Sequence, residues 1–573
     1  MWPFNTPSWE QTVQEKQQTR KRWLDDAVHT KAAHSPYLKA TASEIVQRIA
    51  SREWTASEVL EAYIAQAARA HAVTNCLTEG VFLDEARGEA QKLDMHFQTT
   101  GELKGPLHGV PISFKDLFHV AGYDTTMGHT MFAGQPAESD AEVVRLVREA
   151  GGIPFVKTNL SQTLMFFECV NPMWGRTTNP YSDAHTSGGS TGGEAALLAM
   201  DGSALGWGND VGGSMRIPTS YCGVYSLKPA HGRISSGGMR DAIPGFEAIT
   251  TVTGPMARSV EDLELAFRVV AGKARDDSTT APVPFRKVVL PEKLTFGYYS
   301  SDNYVRSSPV CQRAVLETVA ALRRAGHDCV ELPFPLETDR AMQRFLGLIS
   351  SDGNKTLLKP IGKDPVQYEL STVDMGPKLW GWARFLLSWI IEHVAGDPFL
   401  ADVLRLSKKK SVAEFYSRTA EVREFSRQMN RQLWGDGRFD AIIAPVQAIP
   451  ALPHQAVARV ATICGSTIIY NILDNPVGVI PVTRVDPEKD EVTPEWYEEK
   501  QRGVNSSPLL HALLYKGENS VYNAKRMAGL PVGIQIAGRK WEEEKVLAIM
   551  KVVDSTLGRR SFGPGNWETW QAN

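Results

Sequence analysis

The stretch TSGGSTGGEAALLAM, residues 186–200, places Ser190 between glycines and runs into a segment that predicts a helix. A second glycine-rich stretch, GNDVGGSMRIP at 208–218, carries Ser214. Glycine lets a backbone turn sharply and approach a substrate closely. A serine in such a loop can therefore present its hydroxyl beside several unpaired backbone N–H groups. This arrangement suits nucleophilic attack on a carbonyl group.

The loop around Ser214 offers backbone amides to a developing negative charge. Successive N–H groups in a glycine-rich turn can form a concavity for an anion, and we assign the oxyanion hole to the amides of Val211, Gly212, Gly213 and Ser214. An isolated Gly-Gly-Ser tripeptide is usually only a surface turn. The second glycine-serine loop, 24 residues upstream, favours a catalytic site.

A lysine follows a short apolar run in HGVPISFKDLF, residues 108–118. Lysine is a poor base at neutral pH unless burial or a neighbouring cation lowers its pKa. Residues 110–114 are strand-like, so burial of Lys115 at the end of that strand is consistent with the pattern. A lysine at a strand end is more often a solvated charge. The catalytic interpretation of Lys115 therefore depends on the two serine loops.

Together, these three segments resemble the amidase signature family, whose members use a Ser-Ser-Lys triad. The resemblance implies that Ser214 is the nucleophile, Ser190 the bridging serine on a cis peptide bond, and Lys115 the terminal base. It also implies that the proton relay reverses to protonate the departing nitrogen. Thr191 departs from the family's common Gly-Gly-Ser-Ser-Gly-Gly loop. A threonine still offers a hydroxyl there, so the departure concerns only the finer hydrogen bonding of the loop.

Supporting roles follow from the same resemblance. Asp210 and Arg216 match the family pattern Asp-x-Gly-Gly-Ser-x-Arg, which implies a charge pair that fixes the Ser214 loop. Leu164 resembles a substrate-contact position, and Met165 and Phe166 are candidates for the lining of an acyl channel. Ordinary core packing is the alternative for these last three residues.

The resemblance covers roughly residues 40–555 and, within the family, is strongest to fatty acid amide hydrolases. The segments IIYNILDNPVGVIPVT (468–483) and GLPVGIQIAG (529–538) are among those that carry it. A weaker resemblance to acetamidases lies in SQTLMFFECVNPMWGRTTNP, residues 161–180. The resemblance thus implies a small-molecule amide substrate that is lipid-like, such as an N-acylethanolamine, with esters as further substrates. A small-amide or aryl-amide acetamidase is the alternative.

The apolar segment LWGWARFLLSWIIEHV, residues 379–394, bears on substrate size. It is too short and too charged to span a bilayer, so it is a buried core helix, an interfacial membrane helix or a lid over the active-site mouth. Fatty acid amide hydrolases carry a membrane-facing cap at the matching place, and we expect a cap here. The residues expected to touch lipid are Trp380, Trp382, Phe385, Trp389 and Ile390.

Composition and charge exclude some classes of binding partner. Lys plus Arg number 62 and Asp plus Glu number 65, so the net charge of −3 gives no basic balance to attract nucleic acid. The six cysteines form no CxxC pair and no metal-like cluster with histidine. We therefore expect no metal, no cofactor and a reducing compartment. The N-terminus lacks the apolar core of a signal peptide or membrane anchor, which predicts an intracellular protein, soluble or peripherally bound to a membrane.

Helix-like and strand-like segments alternate along the chain. Capping boxes begin at Thr41 and Thr55, and the apolar runs at 153–156 and 441–444 predict buried strands. The family resemblance implies an α/β fold in which a mixed, twisted β-sheet is covered by α-helices on both faces.

The expected organisation is a polar N-terminal extension over residues 1–40 and a single catalytic domain over residues 41–573. A helical, hydrophobic cap is inserted in that domain at residues 330–430. The family resemblance further implies a homodimer.

Two rival interpretations remain open. Residues 188–192 also fit the G-x-S-x-G nucleophile elbow of α/β-hydrolases, which predicts a catalytic histidine downstream. Judged only by their position after Ser190 in the chain, the candidates are His231, His327, His393, His454 and His511. The other rival is a subunit like the amidase component of tRNA-dependent amidotransferases, against which the near-neutral charge and the apolar cap argue.

Overall fold

A computed structural model describes residues 8–28, 35–275, 277–302, 304–333, 336–498 and 507–571. Parts of the predicted N-terminal extension, residues 1–7 and 29–34, lie outside the described residues. The rest of that extension is mainly a helix over Trp9–Val28, which packs on the first strand of the sheet.

The core is an eleven-stranded mixed β-sheet. The described residues form fifteen strands, eleven of which belong to this sheet. They are β1 (Leu77–Val81), β2 (Pro111–Lys115), β3 (Ile153–Thr158), β4 (Val170–Asn171), β5 (Gly175–Arg176), β6 (Thr178–Asn179), β7 (Ser182–Thr186), β8 (Leu205–Asp210), β9 (Tyr225–Lys228), β10 (Val252–Ala257), β11 (Thr295–Tyr298), β12 (Asp328–Glu331), β13 (Ala441–Pro445), β14 (Val477–Arg484) and β15 (Pro531–Ala537). The order in the large sheet is β1-β3-β2-β8-β10-β9-β14-β15-β13-β11-β12, and β4–β5 and β6–β7 form two small sheets. Strand β2 runs parallel to β3 and β8, and β11 runs parallel to β12 and β13. The other neighbours in the large sheet are antiparallel.

Many helices surround this sheet, which confirms the expected mixed α/β class. They are α1 (Trp9–Val28), α2 (Ser35–Leu38), α3 (Ala42–Ala50), α4 (Ala56–Thr74), α5 (Leu83–Thr100), α6 (Glu142–Glu149), α7 (Gly192–Ala199), α8 (Arg216–Cys222), α9 (Val260–Val270), α10 (Pro309–Arg324), α11 (Thr338–Ile349), α12 (Lys355–Leu358), α13 (Ser371–Lys378), α14 (Gly381–His393), α15 (Pro398–Leu406), α16 (Val412–Trp434), α17 (Val457–Val460), α18 (Gly465–Ile472), α19 (Pro494–Glu498), α20 (Pro508–Tyr515), α21 (Glu543–Leu557) and α22 (Asn566–Gln571).

Local sequence accounts for the elements that lead into the site. The capping boxes at Thr41 and Thr55 are present, with Glu44 and Glu58 as the reciprocal partners. Strands β2, β3 and β8 are buried along their whole length, as expected for parallel strands covered on both faces. Because β2 and β8 are parallel neighbours, their carboxyl ends lie side by side. Lys115, the last residue of β2, is therefore brought next to the end of β8 and the Ser214 loop that follows it.

The segment between β12 and β13 is helical and comprises α11 to α16. Helix α11 contacts α15, α16 and α18, so this helical segment packs on the rest of the chain near α18. Helix α14 coincides with the apolar segment at 379–394. Among the described residues, no helix has the length and apolar character needed to cross a membrane.

Candidate active site

The Lys115 amine lies within hydrogen-bond distance of three oxygen atoms. Its Nζ lies 2.6 Å from Ser190 Oγ, 2.9 Å from Thr191 Oγ1 and 2.6 Å from Asn209 Oδ1. Two of these partners come from the loop before α7 and the third from β8. The structure thus brings together the lysine and the bridging serine that the sequence proposed, although 75 residues separate them.

The environment of Lys115 favours its neutral form. The side chain is completely buried, and burial lowers the pKa of the Lys115 ammonium to about 7, with Asp210 among the anions that oppose this shift. An ammonium cannot accept a proton, because it has three donors and no lone pair. A pKa near neutrality therefore makes Lys115 a usable general base.

The Ser214 loop is held by a buried ion pair between Asp210 and Arg216. The guanidinium makes two hydrogen bonds of 3.0 Å to the carboxylate, and both side chains are inaccessible to solvent. Burial opposes ionisation of Asp210, but Arg216 outweighs it and holds the pKa of that carboxyl well below its usual range. Arg216 also donates to Thr467 O at 2.9 Å and to Asn471 Oδ1 at 2.6 Å. The charge pair implied by the resemblance is present, and it ties the loop to α18.

The proposed oxyanion amides differ in their availability. The Gly213 N–H donates to Asp210 Oδ1 at 2.8 Å, so this amide is already engaged by the carboxylate that shapes the loop. In the part of the chain that the structure describes, the N–H groups of Val211, Gly212 and Ser214 have no hydrogen-bond partner. These three remain the candidates for the oxyanion hole. A glycine is required at 213, where φ is +118° and a Cβ would approach Thr467 Oγ1 to 2.4 Å.

The two serine loops are joined through their backbones. The Thr191 N–H donates to the Ser214 carbonyl at 3.1 Å, and the Gly189–Ser190 peptide bond is cis, as the resemblance implied. Among the described residues, the Ser214 hydroxyl has no hydrogen-bond partner. Ser190 Oγ is bonded to Lys115 and not to Ser214. Catalytic hydrogen bonds often tighten only when a substrate is bound.

A cavity of about 470 Å³ reaches this loop. Met165 and Val211 line it, together with residues between 231 and 252 and Ile349 at the end of α11. Leu164 is buried and has φ of +62°, a backbone conformation that costs free energy for a residue other than glycine and is concentrated at functional sites. Met165 lines the cavity, whereas Leu164 belongs to the hydrophobic core, against which Met165 packs.

Helix α14 exposes its apolar side chains. Trp380, Trp382 and Phe385 are 72%, 66% and 70% exposed, Trp389 and Ile390 are 45% and 40% exposed, and the one buried residue of the helix is Ser388. The structure therefore excludes the buried-core interpretation of 379–394. A contiguous exposed apolar face of this kind is typical of an interaction surface.

The rival elbow interpretation requires a histidine in contact with Ser190. His231 lines the cavity, His454 contacts Glu168 at 3.0 Å, and His393 stacks on Trp389. His327 packs against Phe296 and His511 against Trp496. None of the five makes a hydrogen bond to Ser190 in the described residues, whereas Lys115 does. The geometry favours a lysine base.

Sequence reasoning missed one contact of Lys115 and one buried carboxyl in the glycine-rich stretches. Asn209 supplies an amide oxygen to the amine, and Glu194 lies in the first turn of α7 with no solvent exposure. Both belong to the quoted glycine-rich stretches. No local pattern distinguishes them, however, because their partners are on other strands. The only signal in the sequence was that they lie in the same glycine-rich stretches as the two serines.

The chain is similar in sequence and in overall fold to known proteins. The sequence model of the family described as amidase matches residues 58–547. Fatty-acid amide hydrolase 1 of Sus scrofa is 34% identical over 520 residues, which cover 90% of this chain and 85% of that protein. An acetamidase of Emericella nidulans is 32% identical over 540 residues, covering 91% and 89%. The solved structure of a fatty acid amide hydrolase superposes with a TM-score of 0.82 at 28% identity, covering 96% of this chain and 95% of the other.

Proposed function

Since this chain belongs to the amidase signature family of amide hydrolases, we propose that it cleaves fatty acid amides through an acyl-enzyme on Ser214. The observation that carries the proposal is the 2.6 Å contact between Lys115 Nζ and Ser190 Oγ. In this proposal Lys115, whose pKa burial lowers to about 7, is the base, and Ser190 is the hydroxyl that relays the proton. The roles below follow from this contact.

In the acylation step, Ser214 Oγ attacks the carbonyl carbon of the amide. Ser190 takes the Ser214 proton as it gives its own to Lys115. The oxygen of the tetrahedral intermediate lies against the free amides of Val211, Gly212 and Ser214, which stabilise charge in a preorganised way. As the C–N bond breaks, Ser190 protonates the leaving nitrogen and regains a proton from Lys115. Water then cleaves the acyl-enzyme through the same relay and releases the acid.

Lipid-like substrates are supported by the exposed face of α14. Trp and Phe at this density are favoured at membrane interfaces, and the cap begins with α11, whose Ile349 lines the cavity at the Ser214 loop. We infer that α14 contacts membrane lipid peripherally and that an acyl amide passes from there to Ser214. The alternative, a small-amide hydrolase, is favoured by the similarity to acetamidases.

The substrate class is tested with acetamide, an arylamide and a series of N-acylethanolamines. We expect kcat/KM to rise with acyl length, because each buried CH₂ is worth about 0.8 kcal/mol, or roughly fourfold. The rates are measured against Ser214→Ala as the blank. A preference for acetamide would refute the fatty-amide assignment and favour the acetamidase alternative. The conclusion that the protein hydrolyses amides would stand.

The role of α14 is tested by replacing Trp380, Trp382 and Phe385 together with serine. We expect binding to phosphatidylcholine vesicles to fall at least about tenfold, because three large apolar side chains no longer enter the interface. Sedimentation with vesicles measures the bound fraction. Hydrolysis of a short soluble amide should be unchanged. The matched control is Met95→Ser, which removes a side chain that is 66% exposed on α5; equal vesicle binding by all three proteins would exclude the membrane role.

A further inference from the structure

The amine of Lys115 contacts two hydroxyl groups and one amide oxygen. The hydroxyls are those of Ser190 at 2.6 Å and Thr191 at 2.9 Å, and the amide oxygen is Asn209 Oδ1 at 2.6 Å. A hydroxyl can donate or accept a hydrogen bond, whereas an amide oxygen can only accept one. Asn209 therefore restricts the amine in a way that the two hydroxyls do not.

Strand β8 directs Asn209 toward the amine. Successive side chains point to opposite faces of a strand, so Asn209 and Asp210 are on different faces of β8. Asp210 is paired with Arg216, whereas Asn209, which is only 3% exposed, meets Lys115 at the end of the parallel strand β2. The pairing of these two strands thus fixes an amide oxygen beside the amine.

The titratable groups packed around Lys115 are bound to other partners or uncharged. Asp210 is paired with Arg216, Glu194 accepts hydrogen bonds from two hydroxyl groups, and burial raises the pKa of the Cys169 thiol to about 11. In the part of the chain that the structure describes, no carboxylate forms an ion pair with Lys115. The three neutral contacts therefore decide where the hydrogens of the amine point.

A count of hydrogens shows what the amide oxygen does to the neutral amine. A neutral amine has two N–H groups and one lone pair. One N–H must point at Asn209 Oδ1, because this oxygen can only accept. One N–H and the lone pair are then left for the hydroxyls of Ser190 and Thr191, of which Ser190 is the nearer. Without the amide oxygen, both N–H groups could bind the hydroxyls, and the lone pair would face neither of them.

We propose that Asn209 is a positioning residue that holds one N–H of Lys115, so that the lone pair of the amine is turned toward the Ser190 hydroxyl. The O–H bond of Ser190 then breaks as a third N–H bond forms on Lys115. The resulting ammonium has three N–H groups for three acceptors. A neutral amide suits this role better than a carboxylate, whose charge would keep the lysine protonated before the reaction. This inference rests on the proposed role of Lys115 as the base.

Asn209→Asp tests the contact, because it keeps the shape and the acceptor but adds a negative charge. A carboxylate against the amine favours the ammonium form, which accepts no proton. We expect the pH of half-maximal kcat/KM on the acidic side to rise by at least about one unit, with activity returning at alkaline pH. The control is Asn566→Asp, which adds the same charge at another buried asparagine, whose Nδ2 donates to the Tyr181 hydroxyl at 2.8 Å. This control should leave the acidic limb where it is in the wild type.

Asn209→Leu tests the orientation, because leucine has a similar size but no acceptor. The lone pair of Lys115 is then no longer directed at Ser190, and we expect kcat to fall roughly 10²-fold at every pH. The KM should stay within about twofold of the wild-type value, since Asn209 acts through Lys115. Thermal unfolding of each variant is measured beside the kinetics, and if Asn209→Leu does not fold, the acidic limb of Asn209→Asp decides alone.

An acidic limb at the same pH in the wild type and Asn209→Asp, or a wild-type kcat in a folded Asn209→Leu, would overturn the inference. Lys115→Ala separates this inference from the proposed function. If Lys115→Ala is inactive on amides while the Asn209 variants behave like the wild type, only the positioning role is refuted. If Lys115→Ala is fully active, the proposed function itself fails.

Discussion

Replacing Ser214 with alanine is expected to abolish amide hydrolysis, lowering kcat by at least about 10⁴-fold. The variant lacks the oxygen that attacks the carbonyl, while the contact between Lys115 and Ser190 stays intact and has no nucleophile to activate. Hydrolysis of a long-chain N-acylethanolamine measures the loss. A fluorophosphonate probe, which captures activated serine hydroxyls, should add its mass to the wild-type peptide containing Ser214 and to no peptide of the variant.

The control for this experiment is Ser203→Ala. Ser203 is also buried, and its hydroxyl donates to Leu205 O at 2.7 Å, so the control removes a serine oxygen from the same region without touching the relay. It should retain wild-type activity. Labelling at Ser190, or substantial hydrolysis by Ser214→Ala, would contradict the assignment and revive the nucleophile-elbow interpretation.

Replacing Lys115 with alanine should lower kcat/KM for amides by about 10³-fold or more but for matched esters by only about tenfold. An amide nitrogen must be protonated as it leaves, and in the proposed relay that proton returns from Lys115 through Ser190. An ester alcohol leaves with much less assistance. The same base predicts that wild-type kcat/KM falls as the pH drops through about 7, because the ammonium form of Lys115 accepts no proton.

The comparison uses an amide and an ester of the same acyl chain, and kcat/KM is measured for the wild type and for Lys115→Ala. Lys228→Met is the control, since Lys228 is another buried lysine, whose pKa burial lowers to about 8 and whose Nζ donates to Pro229 O. Its ratio of amide to ester activity should match that of the wild type. Equal losses on the two substrates in Lys115→Ala would argue against proton delivery by the lysine.

Local patterns predicted much of the fold. The capping boxes at Thr41 and Thr55 are where the sequence placed them, because a helix start depends on residues three apart. The apolar runs at 153–156 and 441–444 lie in strands β3 and β13. The order of the eleven strands was not predictable in this way, since pairing joins segments that are distant in the chain.

The apolar segment at 379–394 was recognisable in the sequence, but only the structure shows that its side chains are exposed. An apolar helix has the same sequence pattern whether it is buried or exposed, because hydrophobic periodicity alone does not show which residues pack against the helix. The exposure of Trp380 and Phe385 appears only when α14 is packed in place.

The sequence by itself determined the family to which this protein belongs, its candidate reactive groups and the glycine-rich loops that carry two serines. Backbone freedom at glycine and the chemistry of hydroxyl and amine are properties of the residues and their neighbours. Only the tertiary structure shows the burial that lowers the pKa of Lys115, because this burial and the partners of the amine depend on residues 75 to 94 positions away in the chain. Glu194 likewise meets Ser113 and Thr158 only because β2, β3 and α7 pack together.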